Sequence, residues 1–387
     1  MEPMFDAHRP AAAFDHDSTL VLALETSGKA WDLGAVVPGI TRRPKKHFEP
    51  RAVKEILAQI DKLKGDGVRA GRTVTRVVLT YEAGRDGFWL ARYLTGLGIE
   101  VHIMQPSSVA VERKGRRAKT DKLDLDMLLG AFLRWLRGEP RACTMVRVPS
   151  LAEEDGRLPG RSRDDLVKDR LAIENRIGNL LCLHGIVDFR PRLKKAAEKL
   201  ETLRTFAGEA VPPKMLDELR RLMALHRLLT EQIAAIEAAR DQVVTEPNPD
   251  RIEKMIQLLV QICGLGIETA TVLVREVFCR PFKDRRALAG FVGITGTPFQ
   301  SGGTDRDQGI SKAGRPRVRG ILQQLAWRWP RHQPESTLSK WFVERTGNAK
   351  GRLRNVMAVA LARKLLVALW RYVDTGVVPE GVRLTAA

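Results

Sequence analysis

A chain of 387 residues, 44% of them hydrophobic, is long enough for two or three globular domains, each with its own core. The longest apolar runs, such as VMAVALA, stop well short of the roughly 18 residues of a membrane span, and four scattered cysteines without a C-x-x-C pair argue against a zinc site and for a reducing, cytoplasmic compartment. The formal net charge is +19, and a surface this one-sided is the footprint of a polyphosphate partner such as nucleic acid.

The opening MEPMFDAHRPAAAFDHDS lacks the basic start and apolar centre of a secretory signal, so residues 1–17 are expected to be a disordered leader. Residues 19–37, TLVLALETSGKAWDLGAVV, predict two strands joined at Ser27–Gly28, and the basic TRRPKKHF behind them leaves room for a third. Apolar spacing through Val53, Ile56, Leu57, Ile60 and Leu63 predicts a helix over 51–64. A strand (75–84), a glycine-closed helix (88–98), a strand stopped by proline (100–106) and a helix over 120–137 with Thr120 as cap complete an α/β domain with a mixed sheet, residues 18–137.

Prolines, glycines and mixed charge mark 138–162 as a linker. Beyond it, Leu166, Ile173, Ile177 and Leu180, and then Met215, Leu219, Leu222, Leu229, Ile233, Ile236 and Val243, form two heptad-like seams. They predict an antiparallel coiled-coil hairpin or a dimer contact within 163–250, with an ordinary helical bundle as the alternative. The last segment, 251–387, is mainly helical, with helices at 284–292, 315–328 and roughly 337–375, broken at Pro330 and Pro334. It opens on LVQICGLGIETATVLVREV, whose G-x-G turn before a helix is similar to a helix-hairpin-helix that offers backbone N–H groups to a phosphate. The charge concentrates here: 251–387 holds 23 Lys/Arg against 10 Asp/Glu, and 311–366 holds 13 against 2.

Four carboxylates stand out by placement. Glu25 closes the first strand and Glu82 closes VVLTYE, while Asp121 and Asp124 lie three apart at a helix start and share a face. Strand-end carboxylates beside a helical pair can surround two divalent ions roughly 3.5–4 Å apart, an arrangement suited to phosphodiester chemistry. Oxygen-only ligands suit Mg2+. Each residue alone also fits a structural role, because acids in a first helical turn favour the helix dipole. Arg116, Arg117 and Lys119 crowd the pair with cations. Residues 297–314, TPFQSGGTDRDQGISKAG, read as a polar loop in which Ser301 is a turn serine; Lys312, Arg315, Arg317 and Arg319 follow as phosphate contacts that position a strand without specifying its sequence. Trp327, Trp329 and Trp341 have the helical spacing of core residues, with base stacking as the alternative.

The fragments ALETS, TYEAG, AKTDKLDLDML, CGLGIETATVLVREV and ALAGFVGITGTPFQSGGTDRDQGISKAG, in that order, resemble the DEDD transposases of the IS110 group, to which Piv-type DNA invertases are also similar. The resemblance spans about 19–375. It implies an RNase H-like (RuvC-like) first domain, a helical linker and a transposase domain with a nucleophilic serine. The acidic metal-binding positions of the family fall on Glu25, Glu82, Asp121 and Asp124, with Mg2+ as cofactor, and its serine falls on Ser301. Cutting and rejoining through a serine–DNA intermediate, guidance by a bridge RNA that pairs with donor and target DNA, a dimer or tetramer with shared sites, and a nucleoid-associated location are further implications. The family's first acidic position is normally aspartate; Glu25 is one methylene longer, and Asp32 belongs to the next strand. Two other readings remain: a metal-dependent nuclease of the junction-resolvase kind, in which Ser301 is structural, and a catalytically inactive nucleic-acid-binding protein.

Overall fold

The computed structural model describes residues 13–84, 87–108, 121–139, 141–301, 304–311 and 313–385, and for 107, 121–123, 299–301 and 304–308 it describes the backbone alone. The chain forms two compact units that divide between Ser150 and Leu151.

The first unit is built on one mixed sheet. Its strands are β1 (Thr19–Thr26), β2 (Trp31–Val36), β3 (Lys45–Phe48), β4 (Arg76–Glu82), β5 (Glu100–Met104) and β6 (Met145–Val146), in the order β3-β2-β1-β4-β5-β6. β1, β4 and β5 run parallel; β2, β3 and β6 are antiparallel to their neighbours. The continuous apolar run of β1 is what a strand covered on both faces requires. Leu20, Leu22, Leu24, Leu79 and Tyr81 point to one face, where α1 (Val53–Arg69) and α2 (Trp89–Gly96) bury Ile56, Ile60, Leu63, Leu90 and Leu94. Val21, Ala23, Val78 and Met104 point to the other, under Leu125, Leu128, Leu129 and Phe132 of α3 (Asp121–Leu136). Phe14, inside the segment expected as a leader, packs on this second cluster. The sequence-based strands and helices of this unit recur within a few residues of their expected ends. β6 is the exception, because a two-residue strand leaves no periodicity to read.

In the second unit α4 (Leu151–Asp155) and α5 (Leu158–Cys182) begin inside the stretch expected as linker. Pro159 falls in the first turn of α5, a position that needs no backbone N–H, so this proline starts a helix and does not interrupt one. After α6 (Ala196–Glu201), α7 (Pro213–Asp241) returns along α5. The pairs Arg163–Glu237, Glu174–His226 and Arg176–Glu218 climb one helix as they descend the other, so the two helices are an antiparallel hairpin. Ile177, Leu181, Leu219 and Leu222 close its core.

The remaining helices are α8 (Arg251–Val260), α9 (Ile267–Leu273) continuing into a π-turn (Val274–Phe278), α10 (Arg285–Val292), α11 (Pro316–His332), α12 (Thr337–Thr346) and α13 (Arg352–Thr375). Asp250 and Glu253 form a reciprocal capping box on α8, and Asp284 caps α10. α11 runs through Pro330, where the sequence predicts a stop. The buried Trp329 anchors that last turn by donating from Nε1 to Ser336 Oγ at 2.9 Å. The stretch 297–314, read as a loop, is a hairpin instead: β7 (Gly296–Ser301) pairs with β8 (Thr304–Ile310), and Thr297 donates to the Gly309 carbonyl. Alternation of polar residues with glycine hid the strands.

The base of this hairpin is held by backbone against backbone. Gly293 (φ +77°) ends α10, and Gly314 (φ +111°) precedes α11. A Cβ on Gly293 would stand 1.6 Å from the Ala313 carbonyl oxygen, and one on Gly314 would stand 2.5 Å from that of Phe291. Both positions also lie in the left-handed region, so a side chain is opposed by torsion and by space. Gly314→Ala is expected to lower the stability of the second unit by more than about 1 kcal/mol in denaturant unfolding, whereas Gly320→Ala, at an open helical position, leaves it within about 0.5 kcal/mol or raises it.

Candidate functional site

The candidate residues fall into two sets, one in each unit. In the first unit the register decides their placement. Leu24 of β1 lies opposite Tyr81 of the parallel β4, so the next residues, Glu25 and Glu82, stand at the ends of adjacent strands. Side chains alternate, and since Leu24 and Tyr81 face α1 and α2, Glu25 and Glu82 face α3. Both are half-buried. Glu25 is also the direct antiparallel partner of Asp32, which shares its face and meets His47 Nδ1 at 3.0 Å. Sequence reasoning set Asp32 aside for belonging to the next strand. The hairpin register is what returns it to Glu25, and the short turn at Ser27 was the available signal.

α3 crosses this face from one edge of the sheet. Asp126 pairs with Lys45 of β3 at 2.5 Å, Leu125 stands 3.1 Å from the Cβ position of Gly34, and Phe132 and Trp135 reach His102 of β5. Gly34 is opposite Ala23, so the first turn of the helix lies over β2, two residues short of the Glu25–Asp32 pair. Asp121 opens that turn and the half-buried Asp124 follows in it. Glu25, Asp32 and Glu82 thus share one face of the sheet, and the helix that carries Asp121 and Asp124 packs on that face. These carboxylates offer only oxygen donors, which fits a hard divalent cation. Among the described residues no three His, Cys, Asp or Glu side chains stand close enough to hold a metal; that of Asp121 is outside them. Arg116, Arg117 and Lys119 lie outside the described residues.

In the second unit Ser301 ends β7 and pairs with Thr304, so its backbone stands at the far end of the hairpin from the glycine contact. Lys312 lies outside the described residues. The other three cations are already engaged. Arg319 donates to the Val292 carbonyl at 3.1 Å. Arg317 reaches Asp164 at 2.6 Å, the Gly160 carbonyl at 2.8 Å and Glu268 at 3.2 Å, which ties α11 to α5 and α9. Arg315 lies 5.1 Å over the Phe291 ring and 3.7 Å from Glu276. They position the root of α11 behind the hairpin, and in this conformation Arg317 spends its fork on carboxylates where a phosphate contact was expected.

Glu276 is the centre of that arrangement and was missed by sequence reasoning. The π-turn places it inward, 3% exposed, where Arg161 holds it through two hydrogen bonds of 2.8 and 2.9 Å and Arg317 approaches to 3.7 Å. The buried Arg157 adds a further guanidinium, donating to the Arg275 carbonyl. A lone acid in the apolar run TVLVREVFC was the only signal. Burial pushes the Glu276 carboxyl up, but the Arg161 hydrogen bonds and the surrounding guanidinium charges outweigh it and hold it below the usual carboxylate range. Burial, with repulsion from Arg157 and Arg161, lowers Arg315.

Comparisons with known proteins identify the family of the chain. Residues 256–339, which include Glu276, Ser301 and Arg315, match the model of the transposase IS116/IS110/IS902 family. A Sinorhizobium fredii protein named as a transposase, y4rJ, is 40% identical over 371 residues, covering 94% of this chain and 93% of its own. The chain belongs to the IS110 family of transposases. The transposase for insertion sequence element IS1111A of Coxiella burnetii is 28% identical, over 76% of each chain. That for IS1328 of Yersinia enterocolitica is 25% identical, over 78% of this chain and 85% of its own. Transposases act on DNA, which fits the cationic second unit. No helix among the described residues is long and apolar enough to cross a membrane.

Removing the carboxylate at 276 would take the counter-charge from the half-exposed Arg161 and the partly buried Arg315, while Arg317 keeps Asp164 and Glu268. Glu276→Ala is therefore expected to cost about 1.5–3 kcal/mol of stability, the range for hydrogen bonds to a charged group. Because its folded carboxyl is depressed, the stabilisation is whole at neutral pH and disappears as pH falls through and below the ordinary carboxylate range. Thermal melts of wild type and Glu276→Gln against pH test this: the gap between them should narrow on acidification, and a constant gap contradicts it.

Proposed function

We propose that this transposase cuts and rejoins DNA through a covalent serine–DNA intermediate, with the hydroxyl of Ser301 as nucleophile and the carboxylates Glu25, Glu82, Asp121 and Asp124 as the holders of Mg2+. The observation that carries the reading is the register that sets Glu25 and Glu82 side by side on the face covered by the helix of Asp121 and Asp124. An antiparallel meander followed by two strands parallel to β1, with helices on both faces, supports an RNase H-like first domain.

The reaction conserves phosphodiester bonds. Ser301 Oγ forms a bond to phosphorus as the bond to one deoxyribose oxygen breaks; the hydroxyl proton leaves to a base and the departing oxygen gains a proton. Reversal by a hydroxyl of another DNA end restores the serine, so no external energy source is needed. A divalent cation bound to the acidic face supplies charge neutralisation at the phosphate and a lowered pKa for an attacking hydroxyl. Cations at the root of α11 hold the hairpin that presents the serine. Their packing favours a fixed hairpin base.

The excess of 13 lysines and arginines over acids across 251–387 supports a second polyanion beside DNA, and we assign it to a bridge RNA. Because serine and carboxylates belong to separate units, a dimer or tetramer with sites shared between subunits is the proposed assembly, in the prokaryotic cytoplasm.

Incubation with donor DNA and Mg2+, followed by denaturing electrophoresis, tests the chemistry. Wild type is expected to leave a protein–DNA adduct; Ser301→Ala abolishes it, and Glu82→Gln lowers its rate by about 100-fold or more. Cleaved ends without adduct would instead establish a nuclease, and no cleavage by wild type with its RNA would establish a binding protein.

A further inference from the structure

The second unit holds a cavity of about 550 Å3 that the serine chemistry does not use. It lies between the start of α8, the segment after the π-turn and the end of α13. Its lining is mixed in a particular way. Arg251, Lys254 and Arg280 bring three positive charges, Asp374 brings one carboxylate, and Phe282 and Trp370 supply aromatic rings. The volume is that of a small-molecule site, but the lining is far more cationic than such sites usually are.

The cations are of two kinds. Arg280 is 8% exposed and fixed by its ring neighbours: its guanidinium lies 4.3 Å over Phe291, which is 5.5 Å from Phe282. Arg251 and Lys254, on the first turn of α8, make no ion pair among the described residues, in contrast to the arginines gathered on Glu276. Uncommitted cations beside a fixed one suit a phosphate, whose charge would otherwise be supplied by a carboxylate of the chain. Aromatic rings beside them suit a base, since every base has a face that can stack. A base inside a duplex is already stacked and paired, so only an unpaired nucleotide can enter.

We propose that this cavity takes one unpaired nucleotide of a bound strand, its base against Trp370 and Phe282 and its phosphate on Arg251, Lys254 and Arg280. Asp374 sets the direction: it repels phosphate and accepts a hydrogen bond from a base N–H. Ser301 is not among the residues that line the cavity, and a chain that forms no DNA adduct could still have the site.

Fluorescence anisotropy of the full-length protein with short labelled single-stranded RNA, single-stranded DNA and duplex DNA is the test. Trp370→Leu is expected to weaken single-strand binding about tenfold, with duplex binding within about twofold and Trp370→Phe close to wild type. The double variant Arg251→Gln/Lys254→Gln, at the surface and safe for folding, is expected to lower the salt slope for single strands by about 1–2. Comparison of the RNA and DNA strands identifies which polymer supplies the nucleotide. Equal losses on duplex and single strands would reduce the site to general electrostatics and overturn the proposal, as would single-strand binding unchanged in both variants.

Discussion

Strand pairing in the first unit is the constraint on which the site depends. A side chain reaches the α3 face of the sheet only at every second residue, and a slip of one residue would send Glu25 and Glu82 into the apolar layer under α1 and α2. That slip is forbidden by Leu20, Leu22 and Leu24, which are fully buried on that layer. The hydrophobic core therefore fixes the placement of the acids: three leucines in alternation determine that the following glutamate ends beside its neighbour on β4. The same alternation brings Asp32 opposite Glu25, so the longer glutamate side chain here has a second acid at its shoulder.

The second unit solves a different problem, that of holding a polar hairpin on a helical body. Its strands have little to bury, and their root is fixed instead by the Gly293–Gly314 contact and by the guanidiniums collected on Glu276. A buried carboxylate among several arginines is costly to desolvate and costly to disrupt, which makes it better suited to fixing one geometry than to adding net stability. The helix hairpin of α5 and α7 joins the same network through Arg161, Asp164 and Arg240, the last holding Glu268 at 2.5 Å. The sequence-based boundary at 250 runs through it.

Much of this was legible in the sequence where periodicity was long. The strand β1, the helices α1 and α3 and the two seams of α5 and α7 all repeat their apolar residues often enough to be read. The acidic residues were legible because strand ends and helix starts can be found from the same periodicity. What stayed hidden depends on pairing between distant segments: the β7–β8 hairpin, whose polar, glycine-rich strands resemble a loop, and Glu276, whose meaning comes from arginines more than a hundred residues away. Arg317 illustrates the limit from the other side. Its type and place suggested a phosphate contact, and only the fold reveals Asp164 and Glu268 around it.

The central proposal is that the acidic face and the hairpin serine act on the same phosphodiester. Replacing one non-bridging oxygen of the joined phosphate by sulfur addresses it directly, because Mg2+ binds sulfur poorly and Mn2+ accepts it better. Adduct formation on that DNA is expected to fall in Mg2+ and to recover in Mn2+, with the recovery lost in Glu82→Gln. Equal rates for the sulfur and oxygen substrates in Mg2+, in both stereoisomers, would contradict it.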